Sequence, residues 1–318
     1  MYINAASTIS HQPTFRNAGF SSNLRKLDPS SGLITPDYGD FIPAMERRRM
    51  SHVQKMAIAC SLDCLQQAGI QQPDAIIVGT SMGCSINTKN FLDKILAATN
   101  GPLSPTSFIV STHNTIAGQI ALSLKNHGYN MTHTQNSLSF EQSLIDGILT
   151  IENGAQNVLV GGADEEEDTI YNMRARLKNE EIHLTCGASF FILSKNQDSI
   201  TSARLVDVAS FGLIDNTTGT IKNFLDTNNT LAEEIDLVLF AVSDQENKND
   251  LKSIFQPWQM FDYQEITGTY YTNSSFAMHY AVDILSNKGH SIFGDKVKNI
   301  LVCNNLIPGN LGLMLLKN

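Results

Sequence analysis

Cysteine is scarce in this sequence and unpaired in its spacing. Five thiols, Cys60, Cys64, Cys84, Cys186 and Cys303, are scattered and odd in number, and no two form a C-x-x-C pair. A disulfide framework or a cysteine-based zinc site is therefore not expected, and neither a metal nor a cofactor is implied; the pattern suits a reducing compartment such as the cytoplasm. Positive charge is also in short supply. Lys and Arg number 22 against 31 Asp and Glu, a formal net charge of −9, which lacks the basic footprint that nucleic-acid phosphates require. No run of about 18 apolar residues occurs, and the opening MYINAASTISHQPTF has no basic region followed by an apolar stretch, so neither membrane insertion nor export is expected. The absence of a fixed short repeat argues against solenoids and propellers.

What is present suits a large layered domain. At 318 residues with 42% hydrophobic content, the chain can bury roughly three-quarters of the surface its unfolded form exposes. Residues 1–44, rich in Ser, Pro, Gly and Asn, read as a short strand and an irregular covering segment. Over Met45–Gly69 the apolar set Met50, Val53, Met56, Ala57, Cys60, Cys64 and Ala68 recurs at helical spacing, with Gly69 as the stop. The cluster Arg47-Arg48-Arg49 at its start reads as a solvated face, or alternatively as a landing patch for an acidic carrier. Pro73–Gly79 is a buried-strand pattern leading through Thr80-Ser81-Met82-Gly83 into a helix from Asn87 to Leu96. The loop GPLSPTSFIVS then precedes a helix from an Asn114 N-cap to about Asn126.

Tyr129–Gln135 reads as a short, polar strand. Ser139 and Gln142 have capping-box spacing at the start of an amphipathic helix carrying Phe140, Leu144, Ile148 and Ile151. Buried strands are expected at 157–162 and 187–193 and further strands at 203–211, 236–242, 299–303 and 311–316, with a helix over Ser275–Ser286. The acidic run Asp164–Asp168 reads as a solvated loop or a helix start. The pattern is that of an α/β fold in layers.

The segment Gly79-Thr80-Ser81-Met82-Gly83 matches G-x-S-x-G between a strand and a helix, the setting of a nucleophile elbow. A serine hydrolase using Ser81 would also need a later acid and His, and His290 is the best placed of the histidines. A glycine-rich turn of this kind is equally a structural device that lets a strand and a helix approach closely.

Four segments, in order from about residue 45 to the end, together resemble the β-ketoacyl synthases, the condensing enzymes of the thiolase fold. They are MERRRMSHVQKMAIACSLDCLQQAGI with IIVGTSMGCS; SPTSFIVSTHNTIAGQIAL; THTQNSLSFEQSLIDGILTIENGAQNVLVGGADE; and IDLVLFAVSD with ITGTYYTNSSFAMHYAVDIL. The resemblance implies a thiolase-like αβαβα sandwich with two similar halves, approximately 1–190 and a shortened 191–318, in a single unit. It also implies that the Gly79–Gly83 turn is scaffold. The family's chemistry uses a Cys at a helix N-terminus, where the helix dipole favours thiolate, and two His residues that bind the thioester oxygen and assist decarboxylation.

By this resemblance the nucleophile position falls at Asn136, with Gln135 or Ser137 as neighbouring registers. The first His position falls at Ala241 and the second at Thr269, where Gln264 replaces the Lys of the motif. With all three positions vacated, the chain is similar to chain-length-factor subunits. These pair with an active ketosynthase through the strand beside the nucleophile turn and shape its acyl tunnel, in polyketide, aryl-polyene, flexirubin-type or fatty-acid-like pathways. Tunnel or interface residues are then expected at Phe108, Thr112, Thr115, Gln119, His133 and Gln135, with Thr112, Thr115 and Gln119 on one helix face. The acyl carrier protein would be met indirectly, through the partner. An atypical active synthase remains the alternative within the family; there Ser137 or Ser139 would be the nucleophile and His133 its base.

Overall fold

Short, largely apolar runs build a ten-stranded sheet. The computed structural model describes residues 1–28, 30–97, 104–166, 184–286 and 297–318. The strands are β1 (Tyr2–Ile9), β2 (Ala75–Gly79), β3 (Tyr129–His133), β4 (Asn157–Asp164), β5 (Gly187–Ser194), β6 (Ala203–Phe211), β7 (Leu237–Val242), β8 (Met260–Asp262), β9 (Asn299–Asn305) and β10 (Leu311–Lys317). Their order is β3-β2-β4-β5-β1-β6-β10-β9-β7-β8. Five strands are arranged as 3-2-4-5-1 and the next five repeat that order outward from the centre. The two sets meet where β1 and β6 pair over only Tyr2↔Arg204 and Ile3↔Ala203. The change from one set to the other lies in the turn between β5 and β6, just past the strand that contains residue 190.

The principal helices are α1 (His52–Ala68), α2 (Ser85–Ala97), α3 (Thr115–Leu124), α4 (Ser139–Glu152), α5 (Thr217–Thr227), α6 (Gln245–Ile254) and α7 (Ser274–Ser286). Side-chain alternation along the strands sorts them into layers. In β2, Ile76 and Val78 face a core shared with α1 and α3, whereas Ala75 and Ile77 face the core of α4 and α7. In β7, Leu237, Leu239 and Ala241 face that same α4/α7 core, and Val238 and Phe240 face a third core built on α5 and α6. The result is the αβαβα sandwich, with α4 and α7 sandwiched in the middle. Residues Ser274 to Leu285 of α7 are buried all round, as expected of a helix in a core layer rather than on a surface.

Several local expectations change. The helix expected from Met45 starts at His52, because Ser51 and Gln54 close a capping box there; a separate short helix, Ala44–Arg47, holds the start of the arginine cluster. Gly69 ends α1 in the left-handed conformation, φ 65°, as expected. The expected loop after Gly101 contains a short helix, Pro105–Ile109. The capping box read at Ser139 and Gln142 does not form; Ser139 Oγ instead accepts from the Gln135 N–H at 2.8 Å, and Gln142 Nε2 donates to Ser210 at 3.0 Å. Asp164 and Glu165, read as the start of a solvated acidic run, are both buried, because backbone N–H groups converge on each carboxylate; residues 167 and 168 lie outside the described residues. The helices α5 and α6 and the strand β8 carried no pattern that had been read from the sequence.

Candidate functional site

The turn between β3 and α4 is built to present residue 136. β3 is an edge strand, paired only with β2 among the described residues. Behind it, Gly79 at the end of β2 allows the N-terminal backbone of α4 to pass directly over the strand; a Cβ there would overlap the Ser139 carbonyl and the Phe140 nitrogen. The chain rises out of β3 through Gln135 into the tight turn Asn136–Leu138, and Asn136 adopts φ 52°. This left-handed conformation is uncommon outside glycine, with Asn among its more tolerant occupants. Ser139 Oγ donates to the Asn136 carbonyl at 2.7 Å and so closes the turn. Gln135 and Asn136 are exposed, whereas Ser137 and Ser139 are buried.

Ala241 and Thr269, the positions that the resemblance aligns with the family's histidines, lie in the same neighbourhood. Asn304 on β9 is in register with Ala241 on β7, and its Nδ2 donates to the Ser137 carbonyl at 2.7 Å and to Glu141 Oε1 at 2.8 Å. Gln264 accepts from the Val242 N–H at 3.2 Å and donates to Thr269 Oγ1 at 3.3 Å, which ties the end of β7 to Thr269. A single hydrogen-bonded network therefore runs from the Asn136 turn through Asn304 and β7 to Thr269. Ala241 is fully buried, so at this position only a methyl group projects into the central layer.

No thiol beside this network is poised as a nucleophile. All five cysteines are buried, and burial pushes the Cys303 and Cys186 thiols up to about 12 and Cys84 to about 11, away from thiolate at neutral pH. His133 ends β3 with its Nε2 2.8 Å from Asp146 Oδ2 on α4, and Tyr129 donates to the same carboxylate at 3.1 Å. Among the described residues, no hydrogen bond joins His133 to Ser137 or Ser139. No group of three or more His, Cys, Asp or Glu side chains among the described residues could hold a metal ion, and no helix is long and apolar enough to cross a membrane.

The Ser81 turn is held by a different residue. Asp164, buried at the end of β4, accepts from the Ser81 and Met82 N–H groups at 2.8 Å each, from Thr80 Oγ at 2.9 Å and from the Thr272 N–H at 3.0 Å. Burial raises its carboxyl above the ordinary range despite these bonds. An elbow needs free N–H groups to receive an oxyanion; the two next to Ser81 are bonded to a carboxylate. No hydrogen bond links Ser81 to a His among the described residues, and His290 lies outside them.

The expected tunnel residues separate. Thr112 is exposed and precedes α3, which begins at Thr115, so Thr112, Thr115 and Gln119 do not share a helix face. The buried Thr115 hydroxyl turns back to bond the Thr112 carbonyl. Phe108 stacks against Phe91, centroids 5.6 Å apart. Gln119 lines a half-open groove of about 540 Å³ together with Met45, Met50, Ile109, Val110 and Leu122. Asp164, Glu141, Asn304 and Gln264 were not singled out as site residues from the sequence. Gln264 alone had a signal, its place at the motif's Lys; the other three look in sequence like a surface acid, a helix-face acid and a strand-end amide.

Residues 28–245 match the family described as beta-ketoacyl synthase, N-terminal domain. No curated protein matches the chain. Among solved structures, the chain is similar to the ishigamide ketosynthase/chain length factor, with TM-score 0.80 and 16% identity over 99% of this chain and 98% of that one. A type II PKS acyl-carrier protein in complex with its ketosynthase gives TM-score 0.76 at 12% identity, over 99% and 98%. A ketosynthase in complex with its chain length factor from Xenorhabdus doucetiae gives 0.60 at 14% identity, over the full length of both chains. At these identities the structural matches speak for the fold.

Proposed function

This chain belongs to the β-ketoacyl synthase family, whose N-terminal domain it matches, and from that premise we propose that it is the non-catalytic, chain-length-factor-like subunit of a cytoplasmic heterodimer. Its partner would be an active β-ketoacyl-ACP synthase, whose acyl tunnel it helps to shape in polyketide, aryl-polyene or flexirubin-type biosynthesis. The observation that carries this reading is the turn itself: the exposed left-handed residue at the N-terminus of the central helix is Asn136, which is neither a thiol nor activated by a base. Ala241 and Thr269, at the two positions of the family's histidines, have no imidazole to offer.

The neighbouring surface supports a paired state. β3 leaves one row of backbone groups unpaired at the sheet edge, and Tyr129 and Met131 on it are exposed. Natural proteins generally blunt or cover such edges, and an edge strand is a ready template for a strand from another chain. The pair formed by a ketosynthase and its chain length factor in two of the similar structures supports the same arrangement. The acyl carrier protein would be met by the partner subunit, with this chain forming one wall of the tunnel.

Co-expression with a ketosynthase encoded nearby tests the reading. A stable heterodimer that condenses, in which this chain alone neither decarboxylates malonyl thioesters nor condenses them, is the expected result. A lone active monomer would sink the proposal. Within the heterodimer, Thr112→Trp adds bulk at an exposed position and should shorten the product; an unchanged chain length would remove Thr112 from the tunnel wall.

A further inference from the structure

The vacated turn rests on a buried acid. Glu141 lies in the first turn of α4, is fully buried, and belongs to no ion pair among the described residues. Its place is built into the sheet. Gly312 on β10 is in register with Asn304, and a Cβ on that glycine would meet the Glu141 carboxyl at 2.6–2.8 Å. The glycine thus opens the space in which the carboxyl lies flat against the strands. Asn304 then uses both hydrogens of one amide nitrogen, one on Glu141 Oε1 and one on the Ser137 carbonyl. The acid is therefore one bridging side chain away from the turn that carries Asn136.

Four polar atoms around this locus have no hydrogen-bond partner among the described residues: Glu141 Oε2, Ser137 Oγ, Tyr263 Oη and Ser274 Oγ. Tyr263 and Ser274, from the second half of the chain, neighbour the carboxyl. A buried polar atom left unbonded costs about 1–3 kcal/mol, and native interiors satisfy such atoms with ordered water that makes about three hydrogen bonds. Four orphaned atoms, from the start of α4, from residue 263 and from α7, lie within the roughly two to four bonds that one such water makes. Burial pushes the carboxyl up to about 7, so near neutral pH it can donate as well as accept.

We propose that Glu141, Ser137, Tyr263 and Ser274 form an internal water-binding site, and that Glu141, anchored there, acts through Asn304 as the positioning residue that holds the Asn136 turn in its left-handed geometry. The role belongs to this chain alone and stands whether or not a ketosynthase pairs with it. It gives a physical reason for the turn to keep its shape without a nucleophile: the structure that sets it lies underneath, between the two halves.

The test compares Glu141→Gln with Glu141→Leu in the full chain, by hydrogen exchange of the backbone amides from Gln135 to Ser139. Gln keeps the volume and an acceptor for Asn304, and exchange should stay within about twofold of the parent. Leu fills the space but offers no acceptor, and exchange at the turn should speed up about tenfold, one step of roughly 1.4 kcal/mol, while β4 amides do not change. A merely space-filling role predicts no difference between the two variants, and that result would overturn the proposal. Should Glu141→Leu fail to fold, Tyr263→Phe removes only one hydroxyl. A high-resolution crystal structure of the parent should then show a water bonded to Glu141 Oε2 and Tyr263 Oη, weakened or lost in Tyr263→Phe; no water at that place in the parent would equally refute the proposal.

Discussion

Replacing Glu141 by Gln should change how stability depends on pH, and the direction follows from burial. The Glu141 carboxyl is raised from its ordinary 4.5 to about 7 by removal from water, with the Asn304 amide opposing the shift only in part. The folded state therefore holds this proton more tightly than the unfolded state. Below about pH 4.5 both states are protonated and the group has no effect. Between about 4.5 and 7 the unfolded chain ionises first, so stability falls as pH rises, and above about 7 the folded protein carries the whole penalty. At about 1.4 kcal/mol per pH unit, that penalty is about 3 kcal/mol.

Gln cannot ionise, so the stability difference between variant and parent should be near zero at pH 4.5 and grow to about 3 kcal/mol in favour of Glu141→Gln by pH 8. Glu165 is also raised to about 7, first by burial, but it is present in both proteins and cancels in the difference. The titratable neighbours Tyr263 and Cys303 remain protonated throughout this window, since burial pushes the first well above its ordinary value and the second up to about 12. Urea unfolding of both proteins at half-unit pH steps measures the difference directly. Parallel curves from pH 4.5 to 8 would show that the carboxylate is solvated or paired, and would refute the reasoning.

Other perturbations reach the same turn from different sides. Gly79→Ala drives a Cβ into the backbone of α4 at Ser139 and should cost about 1–3 kcal/mol in thermal or chemical unfolding, the usual range for overpacking; a neutral result would mean that helix and strand can part. Asp164→Ala leaves the Ser81, Met82 and Thr272 N–H groups without their acceptor and should destabilise the protein by several kcal/mol. Ser81→Ala should change neither stability nor labelling by a fluorophosphonate, and specific labelling of Ser81 in the parent would revive the hydrolase reading. Asn136→Cys restores a thiol at the turn but not the histidines at Ala241 and Thr269, so condensing activity should not appear when the isolated chain is assayed with malonyl and acyl thioesters.

Much of the framework is legible one element at a time. The unbroken apolar run Ala75–Gly79 and the three- and four-residue spacing of Phe140, Leu144, Ile148 and Ile151 depend on the chain's own geometry, so strand and helix can be read without knowing their neighbours. Asp164 and Glu165 show where that stops. A pair of adjacent acids next to a loop reads as solvated, because burying a charge is costly unless partners are supplied. Here the partners come from residues 80–86 and 272, far away in sequence. The helix face expected of Thr112, Thr115 and Gln119 does not form for a more local reason: the chain turns at Thr112–Asn114 before α3 starts, and helical spacing counted across that turn has no meaning.

The sequence by itself determined the layered α/β class and the order of most strands and helices, because composition and periodicity are local properties of the chain, while the matching of Asn136, Ala241 and Thr269 to the family's catalytic positions came from the family resemblance. Only the tertiary structure decided that Asn136 sits exposed in a left-handed turn, that Asn304 and Gln264 join that turn to Ala241 and Thr269, and that Glu141 lies beneath it in the space left by Gly312. The links from Asn304 to Ser137 and Glu141 and from Gly312 to Glu141 join segments more than a hundred residues apart in sequence. They exist only after β9 and β10 have closed against the central helices.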